Sequence, residues 1–293
     1  MNQVQQIIFG LGLGAIYALV AIGFSLIYRT MGLLSFVHPQ YVMLGSVFGY
    51  TALVTLGLSL WEAVVPVGVA AGIAALAIDQ VGLRPIRHRR GAEISMILAT
   101  VGWGIVLIQI VSHVHAYGTR ALSLRSAEAH APFHVAGVAI RWDTAVFLTI
   151  AAVIVVVLTL FLRRTRTGRA LRAVGESTST ASLMGIDVER MFAVSASVSG
   201  FLGGVAGLFV GYIFVGGITA GDIGLKSLIA AVLGGFGSLP GALVGGLLLG
   251  VIDNLVAVDI SSSWRDAIVF TFMISVLLVW PTGLFGRRRY VRS

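Results

Sequence analysis

Three clusters of arginine interrupt a chain of 293 residues that is otherwise almost entirely apolar. The first cluster lies at 84–90, the second at 163–172 and the third at 287–289. Loops rich in arginine and lysine stay on the cytoplasmic side of a membrane. The clusters therefore predict which ends of the apolar segments face the cytoplasm.

The composition indicates an integral membrane protein. Hydrophobic residues make up 57% of the chain and charged residues 11%, too few to cover a water-soluble surface. The net charge of +8 then reflects topology and contact with anionic membrane lipid, and not nucleic-acid binding. Because the chain has no cysteine, disulfides, thiolate metal sites and cysteine nucleophiles are excluded.

Seven apolar windows approach the roughly 20 residues that a helix needs to cross a bilayer. They are 7–28, 41–60, 63–81, 94–112, 145–162, 191–215 and 267–280. An eighth stretch, 225–258, would be about 50 Å long as one helix, against a hydrocarbon core of about 30 Å. Four glycines and a proline at 234–241 predict that it breaks there.

The break predicts a re-entrant pair of helices. The segment 163–190 and the tail after Gly286 are both rich in arginine, so an even number of crossings must separate them. We expect the pair to enter from outside, break near the middle of the membrane and return, with the break lining a cavity. The predicted fold is an all-α bundle of about eight membrane-embedded segments, one of them broken, forming a single transmembrane domain over 1–293.

A similar pattern occurs near the N-terminus, where Pro39 ends a short apolar piece as Pro240 does. Small residues four apart follow both prolines: Gly45 and Gly49, Gly241 and Gly245. The pattern predicts an internal repeat, as in many transporters, and coincidence in a glycine-rich chain is the alternative. The side of the N-terminus stays open, being cytoplasmic if the first piece is re-entrant and external if it is not.

Glycines also repeat at i, i+4 along several predicted spans. Small residues at this spacing let helices approach closely in lipid, and we favour packing within the chain over a dimer seam. The pairs are Gly10 and Gly14, Gly68 and Gly72, Gly200 and Gly204, Gly203 and Gly207, Gly207 and Gly211, and Gly246 and Gly250.

The cytoplasmic segment 163–190 predicts two short helices, with Ser177 as an N-cap and Gly185 as a helix stop. Such a segment either lies on lipid headgroups or docks into a partner protein. One helical face would present small and apolar residues, with Arg169 and Arg172 beside it. That face comprises Leu171, Val174, Thr178, Ala181 and Gly185.

Several motifs, in order along nearly the whole chain, resemble those of LivH-type permeases of branched-chain amino acid ABC importers. Gly-Arg-Ala-Leu-Arg-Ala-Val at 168–174 and Leu-Met-Gly-Ile-Asp at 183–187 resemble that family's coupling segment. The run 12–23 resembles its first span, 230–241 its glycine-rich broken helix, and 265–267 with 281–286 its closing span and tail.

The resemblance implies a multi-pass permease subunit of the bacterial cytoplasmic (inner) membrane. It implies pairing with a second homologous permease, two cytoplasmic ATPases and an extracytoplasmic solute-binding protein. The chain itself would be no enzyme and hold no cofactor, since partner subunits use the ATP. Consistently, Gly224-Leu225-Lys226-Ser227 lacks the glycine spacing of a phosphate loop.

The resemblance also assigns roles to residues. The ATPase-coupling residues would be Arg169, Leu171, Arg172, Val174, Ala181 and Gly185. The substrate path would be lined by Ser35, Phe36, His38, Gln40, Gly237, Ser238 and Pro240. The family usually has Asn-Phe-Ala-His-Gly-Glu where this chain has Ser-Phe-Val-His-Pro-Gln at 35–40. Branched-chain or related amino acids are the expected substrates, and urea, short amides and aromatic acids are the alternatives.

Two rival interpretations rest on ionisable residues. A proton-coupled secondary transporter or channel would use Asp79 or Asp253, because ionisable groups at membrane depth are costly and usually functional. Asp79 has a structural alternative, pairing with Arg84 or Arg87, and His38 and Asp253 have one in bonding to neighbouring helices. An intramembrane enzyme is disfavoured, since no nucleophile or paired carboxylates converge.

Four histidines mark the predicted external loop 113–143: His113, His115, His130 and His134. Imidazoles at such spacing can hold zinc. No cysteine or carboxylate pattern joins them, so we expect no metal site and favour a solvated loop that contacts the binding protein.

Overall fold

The computed structural model describes residues 3–88, 93–114, 124, 133–135, 138–140, 142–214, 216–217, 220–260, 264–280 and 282–286. Its helices are α1 (Gln3–Met31), α2 (His38–Tyr50), α3 (Leu60–Ile78), α4 (Arg84–His88), α5 (Glu93–His113), α6 (Trp142–Arg164), α7 (Arg166–Glu176), α8 (Thr178–Leu183), α9 (Val188–Ile213), α10 (Ala220–Gly234), α11 (Leu239–Asp259) and α12 (Arg265–Val279). A π-helical turn at Thr51–Thr55 extends α2, and another at Asp79–Leu83 joins α3 to α4.

The all-α membrane fold is confirmed. The sequence did not predict the antiparallel hairpin of β1 (Phe133–Val135) and β2 (Val138–Ile140) in the loop after α5. In the described ranges, six helices are long and apolar enough to cross a membrane. The shorter α2, α10 and α12 have 13, 15 and 15 residues. The count of about eight membrane-embedded segments stays a prediction.

Helices α1 and α9 form the centre of the bundle. In each, 78% of the most apolar window is buried, against 28% in α5 and α6. Tyr17 of α1 and Phe209 of α9 are among the largest fully buried side chains. The outer helices leave apolar residues such as Ile105 and Val157 exposed, as a lipid-facing surface requires.

Glycine faces bring the central helices together. A Cβ added at Gly14 would lie 2.8 Å from the Cα of Leu247, so α1 and α11 touch through their backbones. A Cβ at Gly72 of α3 would lie 2.9 Å from the carbonyl oxygen of Ser197 on α9. Each predicted glycine pair contacts another part of the same chain, which confirms packing within the chain.

Contacts at the two ends of α1 define its direction. At its C-terminal end, Arg29 donates to Glu176 of α7 over 3.1 Å. At its other end, Gln6 donates to Asp259, the last residue of α11, over 3.1 Å. If the arginine-rich segment that contains α7 is cytoplasmic, as its composition predicts, the N-terminal end of α1 faces outside.

The glycine-rich break exists, but its predicted position near the middle of the membrane is wrong. It is a turn at 235–238 between α10 and α11, with Gly235 at φ 97° and Gly237 at φ 79°. The turn lies beside the cytoplasmic end of α1, where the rings of Tyr28 and Phe236 are 4.8 Å apart. Helix α11 has 21 residues, or about 31 Å, and so crosses the membrane without a partner.

The closing tail satisfies the backbone of this turn. The amides of Leu284 and Phe285 donate to the carbonyls of Leu233 and Gly234, over 2.8 and 3.1 Å. These carbonyls belong to the last turn of α10, where carbonyl groups have no amide of the same helix to accept from. Because the tail bonds these carbonyls, the turn does not need to line a cavity in the middle of the membrane. The segment predicted to be a re-entrant pair is therefore a hairpin of two helices.

We expect Gly14→Ala to destabilise the bundle by about 1–3 kcal/mol, since a methyl group would force α1 away from α11. The control is Gly102→Ala on α5, where an added Cβ meets no atom within 4 Å. Thermal unfolding of the detergent-purified protein should show a Tm several degrees lower for Gly14→Ala alone. Equal Tm values for the two variants would contradict the packing argument.

The orientation can be tested because the chain lacks cysteine. Single cysteines at Val4 and at Leu56, which are 54% and 66% exposed, should react with a membrane-impermeant maleimide in intact cells. A cysteine at the exposed Ser179 of α8 should react only after the membrane is opened. The reverse pattern would overturn the assignment of sides.

Candidate functional site

Helix α2 begins inside the membrane thickness. After α1 ends, Gly32 turns the chain with φ 72°, and residues 33–37 return along the bundle before α2 starts at His38 with Pro39 in its first turn. The His38 ring bonds the carbonyl of Val20, near the middle of the 29-residue α1. The first half of the chain thus contains a helix that starts at membrane depth.

Helix α10 is its counterpart in the second half. It starts at Ala220, and an added Cβ at Gly224 would lie 2.7 Å from the Cα of Pro39. The starts of α2 and α10 therefore cross, one helix running outward and the other toward the cytoplasm. The predicted correspondence of Pro39 with Pro240 is wrong, because Pro240 begins the full-length helix α11 and Pro39 faces α10.

His38 anchors the start of α2. It is completely buried, its Nδ1 lies 2.8 Å from the Ser199 hydroxyl, and its Nε2 lies 3.1 Å from the carbonyl oxygen of Val20. The Phe24 ring packs edge-on against it at 4.3 Å. A histidine with both nitrogens bonded to neighbouring helices positions α2, which favours the structural alternative over direct contact with a substrate.

The other predicted path residues in this half surround the same point. Ser35 is buried and lines a cavity of about 20 Å³, and the Phe36 amide donates to Thr100 over 3.1 Å. The Gln40 side-chain oxygen is buried near Gly221, with no hydrogen-bond partner among the described residues.

A second, larger cavity of about 1440 Å³ opens at the cytoplasmic end of the bundle. Gly237, Ser238 and Pro240 line it, together with Arg29 of α1 and Arg172 of α7. The predicted path is therefore not one cluster. Residues 35–40 lie at the middle of α1, and residues 237–240 lie at its cytoplasmic end.

The cytoplasmic segment folds as predicted, with Ser177 capping α8 through a 3.2 Å bond from the Thr180 amide. Three of the five residues of its predicted docking face, however, point inward: Leu171, Val174 and Ala181 are 1%, 2% and 3% exposed and belong to the core. Their apolar surface anchors the segment to the chain's own helices, so they cannot themselves enter a groove of a partner.

The surface that the segment offers to a partner is different. Leu183 and Met184, at the end of α8, are 88% and 78% exposed outside the membrane-spanning helices. Arg169 and Gly185, two of the predicted coupling residues, are exposed as well, whereas Arg172 lines the cytoplasmic cavity. The sequence contained this signal, because two large apolar residues precede the Gly185 stop.

The carboxylates proposed as proton sites are paired. Arg87 bonds both Asp79 oxygens, over 2.7 and 3.1 Å, and also Glu189 over 2.9 Å, which confirms one of the two predicted partners of Asp79. Asp253 accepts from Tyr17 over 2.6 Å and forms an ion pair with Arg265. Both carboxylates thus join helices.

Sequence reasoning missed one group of charges. Beside the Arg265–Asp253 pair, Lys226 of α10 forms an ion pair with Asp266 of α12. The only lysine of the chain and the pair 265–266 were both visible in the sequence. Their proximity depends on the packing of α10 against α12, which no local pattern encodes.

The histidine-rich loop adds little to the site. His115 and His130 lie outside the described residues, and His134 lies on β1. Within the described part of the chain, no group of three or more potential metal ligands converges.

Comparison with known proteins agrees with this arrangement. Residues 6–277 match the family of the branched-chain amino acid transport system permease component. The high-affinity branched-chain amino acid permease LivH of Escherichia coli K12 is 32% identical, over 97% of this chain and 95% of its own. LivH of Salmonella typhimurium is 34% identical over 97% and 95%, and BraD of Pseudomonas aeruginosa 32% identical over 98% and 96%.

A solved structure has the same fold. PsaBC from Streptococcus pneumoniae, in complex with Fab, superimposes with a TM-score of 0.50 over 97% of this chain and 94% of its own, at 15% identity. This superposition shows the fold alone, and the permease role comes from the family match and the relatives. The chain is a multi-pass inner-membrane permease that belongs to the family of branched-chain amino acid transport system permease components.

Proposed function

We propose that this chain conducts branched-chain amino acids through the membrane as one of two permease subunits of an ABC importer. The observation that carries the proposal is the docking of the cytoplasmic segment on the mouth of the cytoplasmic cavity. Arg172, Gly175 and Glu176 of α7 line the same cavity as Gly237, Ser238 and Pro240. A movement of the segment would therefore change the shape of that cavity.

Arg29 joins the two parts mechanically. Its side chain packs on Gly175, where an added Cβ would lie 2.9 Å from Arg29 Cγ, and it bonds Glu176. The exposed ion pair contributes little to stability. The close packing at Gly175, where an added Cβ would also lie 3.2 Å from the Arg29 carbonyl oxygen, would make α7 and the end of α1 move together.

The two ends of the permease, on opposite sides of the membrane, would contact different partner proteins. Leu183 and Met184 would offer an exposed, adaptable apolar contact to a cytoplasmic ATPase, and the two permeases together would engage two such ATPases. An extracytoplasmic binding protein would dock on the opposite face, where Leu124 of the external loop is buried against Gly49 and Gly211. A second, homologous permease would complete the path, with ATP used only by the ATPases.

The substrate class rests on the relatives, several of which are named as high-affinity branched-chain amino acid permeases. At 35–40 the sequence differs from the one that the family usually has. This segment is largely buried and bonded within the chain, as the bond between His38 and Ser199 shows. We therefore infer that it alters the support of α2 more than the chemistry of the path, and leucine, isoleucine and valine remain the first candidates.

The rival proton-coupled transporter requires a carboxylate that can take up and release a proton. Asp79 and Asp253 each form an ion pair with an arginine, so both carboxylates are already used to join helices. Proton coupling is therefore the less favoured mechanism.

The proposal is tested by reconstituting the complex of two permeases and two ATPases in liposomes with the binding protein. Leucine-loaded binding protein should stimulate ATP hydrolysis several-fold and drive leucine uptake that does not follow the proton gradient. Stimulation only by urea, a short amide or an aromatic acid would transfer the proposal to that substrate class. Uptake driven by a proton gradient without ATP would overturn it.

We expect Leu183→Asp combined with Met184→Asp to lower stimulated ATP hydrolysis and uptake by about tenfold or more, because two exposed anchors would be lost from the contact. The matched control is Ser182→Ala, an exposed neighbour on the same helix. The Tm of the permease should not change, since neither side chain is buried. Normal coupling in the double variant would contradict this docking surface.

A further inference from the structure

Four charged side chains meet at membrane depth between α10, α11 and α12. Asp253 lies 14 residues beyond the start of α11, or about 21 Å from its cytoplasmic end. Asp266 lies 13 residues before the end of α12, or about 20 Å from the same face. Against a hydrocarbon core of about 30 Å, both carboxylates lie inside the membrane, nearer its outer surface.

The inner pair of this cluster is complete. The Asp253 side chain is 1% exposed, accepts from Tyr17 over 2.6 Å and forms an ion pair with Arg265. Two donors and a neutralising charge satisfy this carboxylate, and they tie α1, α11 and α12 together. The inner pair is therefore structural, and we do not expect its carboxylate to bind a ligand.

The outer pair is different. Asp266 pairs with Lys226, but 59% of its side chain is exposed, and the Lys226 side chain is 22% exposed. An ammonium has three donors and a carboxylate can accept about four hydrogen bonds, so one mutual contact leaves both groups with unused capacity. Ionisable groups at this depth usually face the bundle interior or a water-filled cavity, so we expect the exposed side of this pair to face water, a ligand or another protein.

We propose that Lys226 and Asp266 bind the two charged groups of an amino acid on its way through the membrane. The α-carboxylate would accept from Lys226, and the α-ammonium would donate to Asp266. Such charge-assisted hydrogen bonds are the strongest that a zwitterion can form with side chains. This inference rests on the proposed function and adds the residues that select the charged groups of the substrate.

The surface next to the pair fits an apolar side chain. Phe270 and Ile274 follow Asp266 at intervals of four residues, on the same face of α12, and are 46% and 53% exposed. A branched aliphatic side chain would lie along this stripe while the charged groups engage Lys226 and Asp266. The stripe leads toward the cytoplasmic end of α12, which is the direction of import.

The test uses the complete complex in nanodiscs, with radiolabelled leucine as the probe and two half-analogues as competitors. 4-Methylpentanoate carries only the carboxylate, and 3-methylbutylamine carries only the ammonium. Lys226→Gln should abolish competition by the acid and spare the amine, and Asp266→Asn should do the reverse. Each variant should raise the KM of leucine uptake by about tenfold or more, whereas Lys226→Arg should keep most of the uptake.

Four results would overturn the proposal. The first is no leucine binding to a wild-type complex that imports leucine. The second is an equal effect of both variants on both competitors. The third is rescue of uptake by the charge-swapped double variant Lys226→Asp with Asp266→Lys, which would make the pair purely structural. If the single variants instead lose the second permease during purification and the swap restores it, the pair belongs to the subunit interface.

The failure of the proposed function looks different. In that case neither the wild-type complex nor any variant imports a branched-chain amino acid, and the proposed binding site is overturned as well. Failure of the site alone leaves wild-type import intact and the variants unaffected.

Discussion

The bundle depends on backbone-to-backbone contact between helices. In lipid, apolar side chains gain little by leaving a solvent as apolar as themselves, so helix association relies on close packing. Gly14 on α1, Gly246 on α11 and Gly207 on α9 each leave room for a neighbouring backbone that any Cβ would displace. These contacts hold α1 against α11 and α9 against α2, and α1 also makes the buried polar contacts of Tyr17 with Asp253 and of Val20 with His38.

Once the helices are close, several polar groups at membrane depth find a partner on a neighbouring helix. His38 bonds both α1 and α9, which lets α2 begin in the middle of the bundle. Arg87 joins Asp79 to Glu189 and lies 5.2 Å from the centre of the Phe192 ring. The amides of Leu284 and Phe285 complete the end of α10. Interrupted helices are stable here because other helices or the tail supply the missing bonds.

Features that depend on local composition were predictable from the sequence. Glycine spacing predicted the helix contacts, and Ser177 predicted a helix cap. Features that depend on tertiary packing were not. The turn at 234–241 was placed at the wrong depth, because the tail that satisfies it is distant in sequence, as the bond from Leu284 to Leu233 shows. Likewise, the amphipathic pattern of α7 indicated an apolar face at Leu171 but not whether it faces inward.

Helix α1 connects the elements that transport requires. Its cytoplasmic end contacts α7 through Arg29, its middle supports the start of α2 through Val20, and Tyr17 bonds the inner charged pair. Its outer end reaches Asp259 through Gln6. This 29-residue helix packs closely on its neighbours through glycine faces, so we expect it to move as one body. A displacement of α7 would therefore reach the start of α2 and the charged cluster together, as a tilt of α1, without a chain of separate side-chain rearrangements.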